Sequence, residues 1–141
     1  MSRLLVLTNH FSHLAMSREK PLVLLFVGPS GHGKTELARK FGELMSLDLL
    51  TVDCTMFTRE DELFGPKPPY QGYQAGSPLN NFLARMSGRK SIVFMDEFEK
   101  TSKEVRNALL LPFENGTCPH DNTLHMSNPR SKESIWTVAF R

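Results

Sequence analysis

Apolar runs alternate with amphipathic stretches along most of the chain. The first run, Pro21 to Gly28 (PLVLLFVG), contains no polar side chain, which is typical of a strand buried on both faces of a parallel sheet. Between Lys34 and Met45, apolar residues recur at helical spacing and predict an amphipathic helix. The next segment, Leu47 to Cys54 (LDLLTVDC), predicts a second strand that ends near Asp53.

The second half of the chain repeats this alternation. The pattern predicts a helix over 77–88, a strand over 91–97, a helix over 101–116 and a strand over 135–140. Ser77 is placed to cap the first of these helices and Gly88 to end it. Thr101 or Ser102 would cap the second, and Pro112 is expected to end or kink it.

Strands that alternate with helices predict an α/β fold with a parallel sheet and right-handed crossovers. The length of 141 residues suits one domain, so we assign residues 1–141 to a single domain. Residues 1–20 are expected to form an N-terminal helix or linker to it.

Composition excludes several classes of protein. The net charge is +2, from 17 basic and 15 acidic residues, and no basic run indicates nucleic-acid binding. No apolar run approaches the roughly 20 residues of a membrane span. The two cysteines, Cys54 and Cys118, fit no disulfide framework, which indicates a reducing compartment and a cytoplasmic location.

The first predicted strand runs into a phosphate-binding motif, GPSGHGKT, which is followed by a helix. Glycines let such a loop curl so that backbone N–H groups and the helix N-terminus face phosphate oxygens. Lys34 would reach the β- and γ-phosphates of ATP, and the Thr35 hydroxyl would bind Mg²⁺. His32 fills a variable position and is expected to be a loop residue rather than a catalyst. The candidate nucleotide-binding residues are Gly28, Pro29, Ser30, Gly31, His32, Gly33, Lys34, Thr35 and Glu36.

The third predicted strand ends in two carboxylates, Asp96 and Glu97. Ligands of open α/β sheets bind at this edge, and an apolar strand followed by Asp is the Walker B pattern. Asp96 would hold the Mg²⁺ shell, and Glu97 would polarise a water for attack on the γ-phosphate. We therefore assign Glu97 and Lys34 as catalytic residues and Thr35 and Asp96 as metal-binding residues. Asp53 either faces the same site or caps a neighbouring turn.

Three segments in sequence order resemble the second ATPase module of Clp-type AAA+ unfoldases and disaggregases, and most closely fungal AAA+ P-loop hydrolases of that type. The segments are GPSGHGKTELARKF, DELFGPKPPYQGYQAGSPLNNFL and SIVFMDEFEKTSKEVRNALLLPFENG, and the resemblance covers roughly residues 12–140. It implies the AAA+ large subdomain fold and ATP hydrolysis coupled to polypeptide unfolding. It also implies a chaperone role, a polypeptide substrate, and assembly with identical or related AAA+ subunits into a hexamer.

The resemblance also gives a role to the loop that contains Tyr70, Gly72 and Tyr73. In such proteins this loop lines the pore of the hexamer and grips a threaded polypeptide, and Tyr70 falls at the position of the gripping aromatic residue. Pro69 replaces a glycine of the family pattern, so this loop is expected to be stiffer. The alternative is that the loop packs on its own domain.

The family's sensor residue on the next strand would fall at Arg141, which is not an equivalent hydrogen-bonding group. We therefore expect an incomplete AAA+ core, truncated near the fourth core strand and without the fifth strand, the arginine finger and the helical lid. Two alternatives to a working ATPase follow. One is a hydrolysis-deficient nucleotide-binding fragment that acts as an interaction module. The other, a P-loop enzyme acting on nucleic acid or a small molecule, is disfavoured by the charge balance and the tyrosine loop.

Overall fold

A computed structural model describes residues 21–66, 69, 71, 75–116 and 134–140. The strands of this part are β1 (Leu22–Val27), β2 (Asp48–Asp53), β3 (Ser91–Asp96) and β4 (Ser134–Phe140). Its helices are α1 (Lys34–Met45), α2 (Glu60–Phe64), α3 (Pro78–Arg85) and α4 (Lys103–Asn115). None of these helices is long and apolar enough to cross a membrane. The predicted helix or linker over 1–20 lies outside the described residues.

The four strands form one parallel sheet in the order β1-β4-β3-β2. This confirms the predicted α/β fold with a parallel sheet. Because the strands are parallel, their carboxyl ends share one edge, where Asp53 is paired with Asp96 and Val27 with Phe140. That edge is where an α/β sheet of this kind binds its ligands.

Helices cover the two faces of the sheet unequally. On one face, Ala38 of α1 packs against Phe94 and Ala139. The other face carries a larger core, in which side chains of β2, β3 and β4 pack against α2, α3 and α4. Trp136 lies at the centre of this core and meets Phe113 of α4 edge to face, with 5.3 Å between ring centroids.

The expectation that β1 is buried on both faces is wrong. Val23, Leu25 and Val27 are 41%, 60% and 69% exposed, whereas Leu24 and Phe26 pack on the α1 side. β1 is an edge strand of the described sheet, and the helices on the second face lie over the other three strands. The apolar run therefore identified a strand correctly but not its position in the sheet.

Helix ends follow their capping residues, with two differences from prediction. Ser77 caps α3 by accepting a hydrogen bond from the Asn80 N–H, and Ser102, not Thr101, caps α4 by accepting from the Val105 N–H. Helix α3 ends at Arg85, earlier than the predicted Gly88. Helix α4 does not end at Pro112 but continues to Asn115, because proline removes only one hydrogen bond and the final turn still closes through Gly116; a kink at Pro112 stays a prediction.

Candidate nucleotide site

The phosphate loop owes its shape to its glycines. Gly31 and Gly33 have φ of 75° and 77°, in the left-handed region that side chains disfavour. Gly33 is also the N-cap of α1 and has no side chain that could cover the first N–H groups of the helix. The loop thus directs an uncapped helix N-terminus toward the sheet edge, an arrangement that favours anions.

Lys34 folds back across this loop. Its ammonium donates hydrogen bonds to the carbonyl oxygens of Gly28 at 2.7 Å and Pro29 at 2.9 Å. Gly28 and Pro29 therefore contribute through their backbone, by holding the lysine at the mouth of the loop. Phosphate oxygens could replace these two acceptors when a nucleotide enters, since an ammonium carries three donors.

Thr35 and Asp96 are 61 residues apart in sequence and meet at the sheet edge. The Thr35 hydroxyl donates to Asp96 Oδ2 at 2.8 Å, and Asp96 Oδ1 accepts from the Glu97 N–H at 2.9 Å. A hydroxyl and a carboxylate are hard oxygen donors of the kind that Mg²⁺ takes together with substrate phosphates and water. The residues present therefore fit the magnesium site predicted from the sequence.

Glu97 is held in an unusual conformation directly after β3. Its φ of 54° and ψ of 39° are left-handed, which is uncommon for a residue other than glycine. It begins a short 3₁₀ turn, Phe98–Lys100, and its carboxylate forms an ion pair with the ammonium of Lys100. Left-handed residues of this kind occur often at functional sites, where surrounding structure maintains the strain.

The loop and the carboxylates enclose one cavity of about 420 Å³, a volume within the usual range for small-molecule sites. The predicted residues that line it are Ser30, Gly31, Gly33, Lys34, Thr35, Glu36, Asp96 and Glu97. His32 is not among the lining residues; its Nδ1 lies 3.0 Å from the Ser30 carbonyl oxygen. A hydrogen bond from Arg39 lowers the pKa of Glu36, which keeps that carboxyl ionised at the rim.

Sequence reasoning missed two residues beside the cavity, Glu99 and Lys100. Glu99 lines the cavity and Lys100 pairs with Glu97. Both follow the predicted strand end within four residues, so their proximity to the site could have been inferred from the sequence. Asp53 caps the turn that follows β2: its carboxylate accepts hydrogen bonds from the N–H and the hydroxyl of Thr55 at 2.9 and 2.7 Å.

Tyr70, Gly72 and Tyr73 of the predicted substrate loop lie outside the described residues. The two ends of that loop are described, and hydrogen bonds join both of them to α3. The Phe64 carbonyl accepts a hydrogen bond from Asn80, and the Ala75 carbonyl accepts one from Asn81 at 3.0 Å. The loop therefore returns the chain to α3 close to where it left α2.

Comparison with known proteins gives the family. Residues 23–138 match the family described as AAA domain (dynein-related subfamily). The chain belongs to this AAA domain family. This confirms the AAA part of the resemblance drawn from the three sequence segments, because the match spans the phosphate loop and the carboxylate pair and extends into β4.

Within the AAA family, the chain is similar to proteins named "Chaperone protein ClpB". It is 40% identical over 105 residues to that of Chlamydia trachomatis, which covers 70% of this chain and 12% of the relative. It is 34% identical over 112 residues to that of Aquifex aeolicus, which covers 74% of this chain and 11% of the relative. The chain thus matches only about an eighth of the length of these AAA relatives, and the similarity supports the Clp type.

Proposed function

We propose that this chain is an ATP-binding and ATP-hydrolysing AAA module that acts on polypeptide. The observation that carries the proposal is the contact between Thr35 and Asp96 inside a cavity that also holds Lys34 and Glu97. A phosphate loop, two oxygen ligands and a further carboxylate at one sheet edge are the parts that nucleotide hydrolysis needs.

Each part has a separate task in the proposed reaction. Backbone N–H groups of the loop and the Lys34 ammonium bind the phosphates of ATP. Thr35 and Asp96 would hold Mg²⁺, directly or through water, and the bound ion would neutralise charge on the phosphate oxygens. Glu97 orients a water molecule and accepts its proton as that water attacks the γ-phosphorus, while the bond from the γ-phosphorus to the β–γ bridging oxygen breaks and ADP leaves with that oxygen.

Binding and turnover are tested separately. A fluorescent ATP analogue with Mg²⁺ measures affinity, and released phosphate measures hydrolysis. We expect Lys34→Ala to abolish binding, while Glu97→Gln retains binding and slows phosphate release about 10²-fold or more. Lys40→Met serves as control, because it removes a lysine of α1 whose ion pair with Glu43 lies on the helix surface.

The hydrolysis-deficient alternative gives a different result in the same experiment. Tight ATP binding that Lys34→Ala abolishes, with no phosphate released by the unaltered chain, would support a nucleotide-binding interaction module. Failure of ATP to bind would contradict both proposals.

The polypeptide substrate and the subunit partners are the finer part of the proposal. The similarity to proteins named "Chaperone protein ClpB" supports a remodelling role. We propose in addition that the chain assembles with identical or related subunits into a hexamer and acts in a cytoplasmic, reducing compartment, as the sequence resemblance implies. We expect an alkylated, unfolded protein to stimulate phosphate release, and Tyr70→Ala to remove that stimulation without weakening ATP binding. Tyr70→Phe keeps the aromatic face and should retain it. Light scattering with and without ATP measures the assembly.

A further inference from the structure

We propose that Lys100 is a positioning residue, which holds the Glu97 carboxylate at the cavity for hydrolysis. The inference rests on the proposed function, since it concerns how the water-activating residue is kept in place. It starts from the ion pair that joins the Lys100 ammonium to Glu97 Oε2.

The geometry of the short turn places Lys100 over Glu97. The Lys100 N–H donates to the Glu97 carbonyl at 2.9 Å and closes this turn, so the turn holds the two residues next to each other. Neither side chain needs to search many conformations to reach the other, which lowers the entropic cost of the pair.

The turn itself is fixed to the core. Phe98 is 8% exposed and lies 5.2 Å from the ring of Phe140 and 6.2 Å from that of Phe113, measured between centroids. The Thr101 hydroxyl donates to the Phe98 carbonyl at 2.7 Å. The lysine is therefore carried by a rigid element, as a positioning residue requires.

Charge gives a second reason for a lysine at this point. Asp96, Glu97 and Glu99 bring three carboxyl groups to one wall of the cavity. The positive charge of Lys100 also contributes to the lowered pKa of Asp53, after the hydrogen bonds from Thr55, so it lies near the end of β2 as well. The ammonium thus offsets repulsion that would otherwise drive the Glu97 side chain away from its neighbours.

The ion pair uses one oxygen of the Glu97 carboxylate. That oxygen, Oε2, is buried and contacts the Lys100 ammonium, while the Glu97 residue lines the cavity. A carboxylate has two oxygens, so Lys100 can hold one of them while the other accepts the proton of the attacking water. Lys100 is not among the residues that line the cavity, so it acts through Glu97 and not on the nucleotide.

The test uses the full chain and compares three variants by steady-state phosphate release, with ATP affinity measured separately. We expect Lys100→Met to lower kcat about tenfold or more, because a misplaced base loses its alignment, and to leave KM for ATP within about twofold. Lys100→Arg keeps the charge and should recover most of kcat. Lys40→Met removes another lysine that pairs three residues away, with Glu43, and should change neither constant.

Each other outcome overturns the inference. Unchanged or raised kcat in Lys100→Met, with normal turnover in the unaltered chain, would contradict it while leaving the proposed function intact. A parallel loss of kcat, ATP affinity and melting temperature, not recovered by Lys100→Arg, would mean that Lys100 only supports the fold. Absence of turnover in the unaltered chain would remove the proposed hydrolysis and this inference together.

Discussion

Strands β1 and β3 both lead into the candidate nucleotide site, but they are held in different ways. The four residues 92–95 of β3 are each 0% exposed, whereas Leu25 and Val27 of β1 are 60% and 69% exposed. β3 lies between β4 and β2 with helices on both faces, and β1 is covered mainly on the α1 side. The two carboxylates thus lie at the end of a strand that is packed on both faces, whereas the phosphate loop follows a strand that is packed mainly on one face.

Strand β2 shows that edge position alone does not cause this difference. It is the opposite edge of the described sheet, yet Val52 is 6% exposed and Cys54, just beyond the strand, is 1% exposed. Both residues belong to the core formed with α2, α3 and α4. What separates the two edges is the helix cover, so burial and not strand pairing should decide the energetic cost of substitution.

The largest expected effect comes from removing the same number of carbon atoms from each of the two strands. Ile92→Ala should lower the free energy of unfolding by about 2–5 kcal/mol, since it leaves a cavity among packed side chains. Leu25→Ala should cost less than about 1 kcal/mol, because most of that side chain already meets water. Urea unfolding of both variants measures the difference; equal costs would mean that the Leu25 face is covered in solution.

The same two strands show how far sequence could predict this fold. Both apolar runs were correctly predicted as strands, and the parallel sheet followed from their alternation with helices. The exposed face of Leu25 could not be predicted, because which strands the helices cover depends on long-range packing that period and composition do not encode. Lys34, Thr35, Asp96 and Glu97 were proposed as site residues from local motifs, and the structure places all four at one cavity. The role of Lys100 depends on the turn geometry after Glu97, and only coordinates give that.

A second prediction concerns Asp96, the last residue of β3, whose carboxylate lies in the candidate site. Asp96→Asn keeps an oxygen that can accept from the Thr35 hydroxyl but removes the negative charge. We expect the Mg²⁺ concentration needed for half-maximal ATP binding to rise about tenfold, with little change in melting temperature. Asp48→Asn, at the opposite end of β2, removes an exposed carboxylate that lies 3.8 Å from Arg89 and is the control. An unaltered Mg²⁺ dependence in Asp96→Asn would exclude Asp96 from the metal site.

The β1 side of the site depends on backbone conformation, which a pair of glycines can test. Gly31→Ala should destabilise the fold by about 1–2 kcal/mol, because Gly31 has φ of 75° and a Cβ there is strained. Gly28→Ala should cost little, since Gly28 lies outside that region of φ. A Cβ at either position has no atom within 4 Å, so the difference isolates backbone strain from crowding. Equal thermal unfolding curves for the two variants would show that the loop relaxes freely.

The smallest expected effect tests the cover of the β2 edge through its thiol. Burial, with smaller contributions from the charges of Asp53, Asp96 and Glu99, raises the pKa of Cys54 to about 12. The folded state therefore favours the neutral thiol, while the unfolded chain ionises near its ordinary pKa of about 8.5. The contribution of the Cys54 thiol to the free energy of unfolding is therefore fully present below a pH of about 8.5 and is lost as the pH rises toward about 12.

Urea unfolding of a Cys118→Ser variant, in which Cys54 is the one remaining cysteine of the sequence, measures this loss. Between pH 7.5 and 9.5 we expect the thiol to remove about 1 kcal/mol from the free energy of unfolding. The same variant with Cys54→Ala lacks the ionising group, so its decline over this range should be smaller by that amount. Rapid alkylation of Cys54 by iodoacetamide in the folded chain at pH 8 would contradict the prediction. It would place the β2 edge in water and leave the two edges of the sheet alike.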